Sequence, residues 1–521
     1  MVQETHDSEN QKHSGSVGSI ATVEVELTGG EPESVLRAAV QRVLSAGPDS
    51  GGTHVTYTAP LTAQIDMGRT ARIQLMVGEA VPTAAHPAGT HVLMLSLHDE
   101  GHLSHEQQQT IIKALRRVPF SQSEIAAVAA QMPLTHTLRE RIADRPLTGT
   151  VLLIMAHYLE DLTGMVQSAM DLGAAPDCLV VVDKGYQYKN RDRVEAHLAE
   201  LGITSFHSSD ITRALAWQIG RARERGHKAV IIDDGGYALP ALMDSMPDHL
   251  ASVNGLVEQT MSGIFKLEPY EDKITTPIFS VAQSRMKGTI ESYWIADAAV
   301  RRIMDLMPPY KVEGQPALVI GYGQVGSEIA QILSGLRMRV AVYDRELIRM
   351  IVAHESGYVT GRDLPGLIRS HQPILIIGAT GRQAITPEHL PTLPQECFLA
   401  SVTSRDGEFP LPSLGQAAVS VEDEQLAGTT YTLPHGARVT VLAHGFPVNF
   451  HFAESIRNRH SDLTLAALLV GACTLARDDH GFTPGHNVER TDRILQRSQL
   501  LEDYYALYGP AAQTEVQETR S

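Results

Sequence analysis

Gly321, Gly323 and Gly326, in the run Gly-Tyr-Gly-Gln-Val-Gly, have the spacing of a turn that cradles a dinucleotide pyrophosphate. Glycine lets the chain turn tightly, approach the phosphates and pack the next helix against the strand before it. The helix N-terminus, with Gln324 and Val325, then offers free N–H groups to the anion. The spacing alone is a weak signal, and its context strengthens it. An apolar strand, PALVI, leads in, the helix-like SEIAQILSGL leads out, and an acid, Asp344, ends the next strand, MRVAVYDRE. Asp344 is placed to accept hydrogen bonds from an adenosine ribose and to repel a 2′-phosphate, which favours NAD over NADP; Arg345 beside it tempers that preference. The following strand end, Gly378-Ala379-Thr380-Gly381, is expected beside the same cleft.

These groups need a scaffold, and the patterning supplies one. From about residue 130 the chain becomes a series of short continuous apolar runs, each followed by a helix, which is the mark of a parallel sheet covered on both faces. GTVLLIMAH, CLVVVDKG, KAVIIDDGG, PALVIGYGQVG, MRVAVYDRE, PILIIGATG and RVTVLAHG are the strands named here. Several end in Gly or Asp, at the edge where open α/β sheets bind ligands. Ahead of them, ATVEVELTG and THVTYTA alternate as half-buried strands, PESVLRAAVQRVLSAG reads as an amphipathic helix, and a strand (THVLMLSLHD) and a helix (SHEQQQTIIKALRRV) follow. His98, His102 and His105 read as a polar loop opening that helix, and no metal is expected.

Composition narrows the partners. Forty-three basic against 60 acidic residues give a net charge of -17, which disfavours nucleic acid and anionic membrane surfaces. Cys178, Cys397 and Cys473 are far apart, with no disulfide or zinc spacing, and no apolar run is long enough for a bilayer. A cytoplasmic protein with a small-molecule substrate is expected.

Five ordered segments resemble the adenosylhomocysteinase family. MPLTHTLRERIADRPLTGTVLLIMAHYLED resembles the family's opening, in which Met-Arg-Glu-Arg leads to a strand ending His-Met-Thr-Val-Glu-Thr, and supplies His157 and Asp161. VIIDDGGYALPAL matches Leu-Asp-Asp-Gly-Gly, with Asp233 and Asp234; GLVEQTMSGIFKL matches Gly-Ile-Ser-Glu-Glu-Thr-Thr-Thr-Gly, with Glu258, Gln259, Thr260 and Ser262. FSVAQSRMKGTIES is similar to Val-Thr-Lys-Ser-Lys-Phe-Asp-Asn, placing Lys287 and Glu291 on the family's Lys and Asp, and RVTVLAHGFPVNF sets Asn449 on its cofactor-contacting Asn. The likeness runs from about Met132 to about Gly471, roughly two-thirds of the chain.

The resemblance implies an α/β, two-lobed architecture with a Rossmann NAD-binding domain, a doubly wound substrate domain, and here a small α+β N-terminal extension. The expected divisions are a disordered tail at 1–20, the extension at 21–130, a substrate domain at 131–297 completed by about 453–490, the NAD domain at 298–452 and a C-terminal tail at 491–521. It also implies a homo-oligomer, a tetramer or dimer, that retains NAD, held by the glycine turn, Asp344, Thr260, Ser262, Ala379, Thr380 and Asn449. The implied chemistry begins with oxidation of a nucleoside 3′-hydroxyl, which makes the C4′ hydrogen acidic, and continues with loss of the 5′ substituent. Lys287 and Glu291 would grip the ribose, His157 and Asp234 would move protons at C4′ and C5′, and Asp161 would meet the adenine amino edge. Each residue also has a plainer reading: Asp233-Asp234-Gly-Gly as a turn, His157 as a helix cap, Lys287 as a solvated charge.

The departures cluster around the 5′ leaving group and the sugar's 2′ side. Gln259 replaces a carboxylate, Leu159 a Thr, Ser292 and Ala296 an Asn and a Cys, and Ser404 a His on the 5′ side; the C-terminal Lys has no match. An enzyme that oxidises, eliminates and reduces without adding water would show this pattern, so the expected activity is a nucleoside dehydratase or lyase giving a 4′,5′-unsaturated nucleoside. Hydrolysis of S-adenosylhomocysteine is the second expectation, and an NAD-binding regulator without catalysis the third.

Overall fold

The computed structural model describes residues 25–28, 32–47, 52–68, 71–79, 90–99, 103–309, 311–403, 407–424 and 427–509. The tail expected at 1–20, the last residues of the tail expected at 491–521, Ser404 and His102 lie outside them. Two compact units divide the chain. One comprises the residues up to Pro133 with Tyr158–Gly164 and Asn190–Ile203; the other comprises Leu134–His157, Met165–Lys189 and the residues from Thr204 on.

In the first unit, β1 (Val25–Thr28), β2 (Thr53–Ala59), β3 (Thr62–Met67), β4 (Ala71–Glu79) and β5 (Thr90–Asp99) form an antiparallel sheet in the order β1-β5-β4-β3-β2. β3 and β4 are additional to the strands expected from the alternation. They alternate strictly, with Ala63, Ile65, Met67, Ile73, Leu75 and Val77 buried against the helices Pro32–Ala46 and His105–Arg116. THVTYTA, expected to be half-buried, is an edge strand with nearly every residue exposed. Ser104 starts the second helix with a reciprocal cap: Gln107 N donates to its Oγ at 3.1 Å, and its own N donates to Gln107 Oε1 at 2.8 Å. Arg193 and Glu124 form a buried ion pair at 2.9 Å, with the guanidinium stacked on Phe120.

The second unit carries two sheets. β6 (Thr150–Ala156), β7 (Leu179–Asp183), β8 (Thr204–His207), β9 (Lys228–Asp233), β10 (Gly255–Glu258), β11 (Pro277–Ser280) and β20 (Gly485–His486) form a parallel sheet ordered β20-β11-β10-β9-β6-β7-β8. β6, β7 and β9 are buried almost throughout, because helices cover both faces and alternation has no purpose. The strand order reverses between β6 and β9, so their C-terminal ends open a crevice.

The eight-stranded sheet contains β12 (Pro316–Ile320), β13 (Arg339–Tyr343), β14 (Val359–Thr360), β15 (Leu375–Gly378), β16 (Glu396–Ser401), β17 (Ser420–Glu424), β18 (Gly428–Thr432) and β19 (Arg438–Leu442). Its first six strands, β14-β13-β12-β15-β16-β19, run parallel in the order of a Rossmann fold, with β18 and β17 added antiparallel at the edge. The seven strands read from sequence belong to two sheets. β8, β10, β11, β14, β16, β17, β18 and β20 were not named; β14 and β20 have only two residues each, too few for a pattern. The division expected between 297 and 298 falls inside one uninterrupted helix, Arg285–Leu306. Among the described residues no helix is long and apolar enough to cross a membrane, and no group of three His, Cys, Asp or Glu is gathered as a metal site.

Candidate active site

Three strand ends converge at the switch point of the seven-stranded sheet. Parallel register brings Ala156 level with Asp183, and β9 lies on the other side of β6, so His157, Lys184 and Asp234 each follow directly on a neighbouring strand. Lys184 Nζ donates to Asp234 Oδ1 at 2.9 Å and to His157 Nε2 at 3.3 Å. An ammonium has only donors, so His157 Nε2 accepts and its Nδ1 carries the hydrogen donated to Tyr188 Oη at 2.7 Å. Nε2 also lies 3.2 Å from Asp234 Oδ2, and the ammonium between them keeps these two acceptors together. The side chains of Lys184 and Asp234 are 8% and 2% exposed, so this is a desolvated pair.

The electrostatics follow from that arrangement. Burial pushes His157 down, the Lys184 and Lys287 cations add to it against Asp234, and the imidazole falls to about 3. Burial alone would raise Asp234; Lys184, His157 and Lys287 outweigh it and hold the carboxyl below its ordinary value. Burial would lower Lys184, but the Asp234 charge more than offsets this and the ammonium is raised. Around neutral pH the site therefore holds a carboxylate, an ammonium and a neutral imidazole. Phe450 stacks on the imidazole at 3.9 Å and 14°, while Tyr186 and Tyr188 approach it at 5.3 and 5.5 Å.

An imidazole kept neutral in the fold makes stability depend on pH. Between the unfolded value near 6.5 and the folded value of about 3, the unfolded chain binds the extra proton, so His157 lowers stability as pH falls. Asp233, pushed up to about 6 chiefly by burial, acts with the opposite sign over the upper part of the same range. The two contributions offset one another in the wild type. The comparison with His157→Asn isolates the imidazole: relative to the variant, the wild type should lose about 2 kcal/mol between pH 7 and about pH 5, read from denaturant unfolding at each pH. A constant difference would mean that His157 titrates normally.

Lys287 enters from the helix Arg285–Leu306, whose N-cap, Ser284, accepts from Lys287 N at 3.3 Å. Its ammonium pairs with Glu291 one turn on, where both are largely buried. On the same helix Gly288 lies so near the Gln324 side chain that a Cβ would stand 2.2 Å from Nε2, which sets Lys287 beside the first turn of the helix Gln324–Gly335. Glu258 is wholly buried at the end of β10; its Oε1 accepts from Thr260 N and Oγ1 at 3.0 and 3.1 Å and from Gly235 N at 3.3 Å. Burial, reinforced by Asp233, pushes Glu258 well up. Gln259 follows it, with its N–H donating to Asp233 O at 2.9 Å. Asp161 opens the helix Asp161–Asp171 and belongs to the first unit.

The dinucleotide turn lies at the switch point of the other sheet, between β12 and β15. A Cβ on Gly326 would stand 1.9 Å from Gly321 O, and one on Gly321, where φ is 99°, 2.5 Å from Ala379 O. Gly323 caps the helix with no side-chain hydrogen bond, leaving its first N–H groups to a ligand. Asp344 accepts from Tyr322 N at 2.6 Å and Glu346 N at 2.8 Å, which fixes the carboxylate while each oxygen keeps a further lone pair. Asn449 is buried with Oδ1 unpartnered, although Nδ2 donates to Ser455 Oγ at 2.8 Å. Thr260 caps the helix Met261–Leu267, which contains Ser262. The glycine turn with its free helix N-terminus and the carboxylate at the end of β13 fit the pyrophosphate and ribose of NAD.

Lys184, Tyr188, Phe450 and Glu408 join these sites without having been expected from motif or resemblance. Lys184 stood in a strand already recognised, CLVVVDKG, at the ligand-binding edge, and that position was the available signal. Glu408 is buried under Thr380 and Gly381, accepting from their N–H groups at 2.8 and 2.9 Å. It anchors the loop that meets Gly321.

Fold and site together define an NAD-dependent enzyme built on two doubly wound sheets. Residues 292–455 match the family model "S-adenosyl-L-homocysteine hydrolase, NAD binding domain". Adenosylhomocysteinase of Saccharolobus solfataricus is 26% identical over 360 residues, 68% of this chain and 84% of that protein. That of Gloeothece citriformis is 24% identical over 407 residues, covering 76% and 92%. Among solved structures, a 2-hydroxyacid dehydrogenase from Ketogulonicigenium vulgare aligns with a TM-score of 0.37 at 12% identity, covering 66% of this chain and 99% of that one. Over about two-thirds of its length or more the chain is thus similar to adenosylhomocysteinases, at about a quarter identity.

Proposed function

We propose that the protein is a redox-assisted nucleoside lyase: it oxidises a purine nucleoside at C3′, removes the C4′ proton, expels the 5′ substituent and, after reduction, releases a 4′,5′-unsaturated nucleoside. The observation that carries this reading is the cluster of His157, Lys184 and Asp234 at the crevice, with Lys287 packed toward the dinucleotide turn. NAD, when bound, supplies the hydride acceptor and donor for the C3′ carbon. Lys287 would hold the 3′-oxygen and its proton, and Glu291 would orient Lys287 and the sugar diol. Asp234, an ionised and desolvated carboxylate, would take the C4′ proton once the adjacent carbonyl has acidified it.

Elimination without hydration is favoured by what surrounds His157. Its ring neighbours Phe450, Tyr186 and Tyr188 make an aromatic wall, which suits exclusion of water better than the binding of a zwitterionic amino-acid tail. Gln259 in place of a carboxylate points the same way.

The test is mass spectrometry of the protein incubated separately with S-adenosylhomocysteine and with adenosine. A nucleoside lighter than adenosine by one water is the expected product. Adenosine with free homocysteine would instead make the protein an ordinary hydrolase, and no conversion of either compound would remove this reading of the substrate.

A further inference from the structure

The lyase reading requires a proton at the 5′ side, and His157 is badly suited to provide it. Its Nε2 is occupied as an acceptor by Lys184, its only hydrogen is committed to Tyr188, and one ring face is covered by Phe450. Of the three side chains that end the strands, Lys184 is the one with hydrogens to give: its ammonium carries three, and two acceptors, His157 Nε2 and Asp234 Oδ1, take two of them. We propose, resting on that reading, that Lys184 is the general acid of the elimination, giving a proton to the departing 5′ group as Asp234 receives one from C4′.

The atoms and charges balance. The C4′–H bond breaks and its proton goes to Asp234. The electron pair left on C4′ forms the C4′=C5′ double bond, the C5′ bond to the leaving group breaks, and that group takes its pair and a proton from Lys184 Nζ. Asp234 is now a neutral acid and Lys184 a neutral amine, 2.9 Å apart. One proton crossing that hydrogen bond restores carboxylate and ammonium. No net charge is created in the desolvated site at any stage, which a lone carboxylate base or a lone ammonium acid could not achieve.

The pairing also explains how a lysine can act as an acid here. The Asp234 charge holds the ammonium up against a burial that favours the amine. When Asp234 is protonated, that support disappears while the burial remains, so Lys184 becomes acidic at the step that needs it. Acid strength is coupled to removal of the C4′ proton. The imidazole, accepting from Nζ at 3.3 Å, keeps Lys184 oriented across the crevice.

Two variants of the full-length, NAD-loaded protein test this in D2O with adenosine and with S-adenosylhomocysteine. The readouts are deuterium at C4′ of recovered nucleoside, release of the 5′ group, and NAD recovered after denaturation. Lys184→Arg keeps the cation and its pairing with Asp234 but cannot give up a proton. It should exchange C4′ within about threefold of wild type, eliminate about 10²-fold or more slowly, and retain NAD. Lys184→Met frees Nε2 to bind a proton 3.2 Å from Asp234, so any residual elimination should fall away above the imidazole range while the wild type continues.

Lys184→Arg eliminating at the wild-type rate would overturn the proposal. So would exchange and elimination falling equally with NAD retained, since Lys184 would then act only by holding Asp234. A wild type that neither exchanges C4′ nor loses the 5′ group would overturn the lyase reading itself, and the role of Lys184 with it.

Discussion

If Asp234 is the proposed acceptor of the C4′ proton, Asp234→Asn should lower nucleoside turnover by about 10²–10⁴-fold while leaving NAD bound, because the change removes that carboxylate and touches nothing in the dinucleotide turn. An amide is nearly isosteric with a carboxylate, so the crevice keeps its shape. Its charge is lost, however, and Lys184 is left as a buried cation whose partner at 2.9 Å is now neutral. An uncompensated buried charge costs about 3–5 kcal/mol, unless the group discharges instead. Burial already favours the Lys184 amine, so the variant should release that proton near neutral pH and keep most of its stability. Turnover, thermal unfolding and recovered NAD separate these effects. Wild-type turnover in Asp234→Asn would mean that the C4′ proton leaves through another group, and Lys287 or His157 would be the remaining candidates.

The second large effect lies at the dinucleotide turn. Gly326→Ala should abolish NAD retention, and the loss should be complete rather than graded. The added methyl would stand 1.9 Å from Gly321 O, a backbone atom that cannot rotate away. The helix Gln324–Gly335 would have to move off the turn, taking its free N–H groups out of reach of a pyrophosphate. Gly321→Ala should behave similarly for a different reason. Its φ of 99° is strained for any L side chain, and the methyl would meet Ala379 O at 2.5 Å. NAD released from the denatured proteins measures both variants directly. The wild-type amount in Gly326→Ala would mean that the turn does not carry the cofactor.

The N-terminal unit shows the limit of reading elements from pattern. Its alternating strands and capped helix announce themselves one at a time, yet β3 and β4, the middle of the sheet, were missed beside more apolar neighbours. TAQIDM alternates polar and apolar residues, but ARIQLMVGE breaks the pattern with Met76 and Gly78 on its outward face, and their role becomes evident only when the inward set is seen packed on the helix Pro32–Ala46.

In the second unit a few adjacent residues are enough to show where the dinucleotide turn is, which acid ends the next strand, and which apolar runs are buried strands. Glycine spacing and apolar continuity are short-range properties, set by backbone sterics and by burial on both faces. Which strand ends meet is set by the packing of the whole sheet. Strand order brings His157, Lys184 and Asp234 together although successive members are 27 and 50 residues apart in the chain. That order depends on helix packing and crossover direction, which leave no local mark in the chain. For the same reason the charge states of these groups were not legible: a lysine after a strand is an ordinary solvated cation until the fold buries it against a carboxylate.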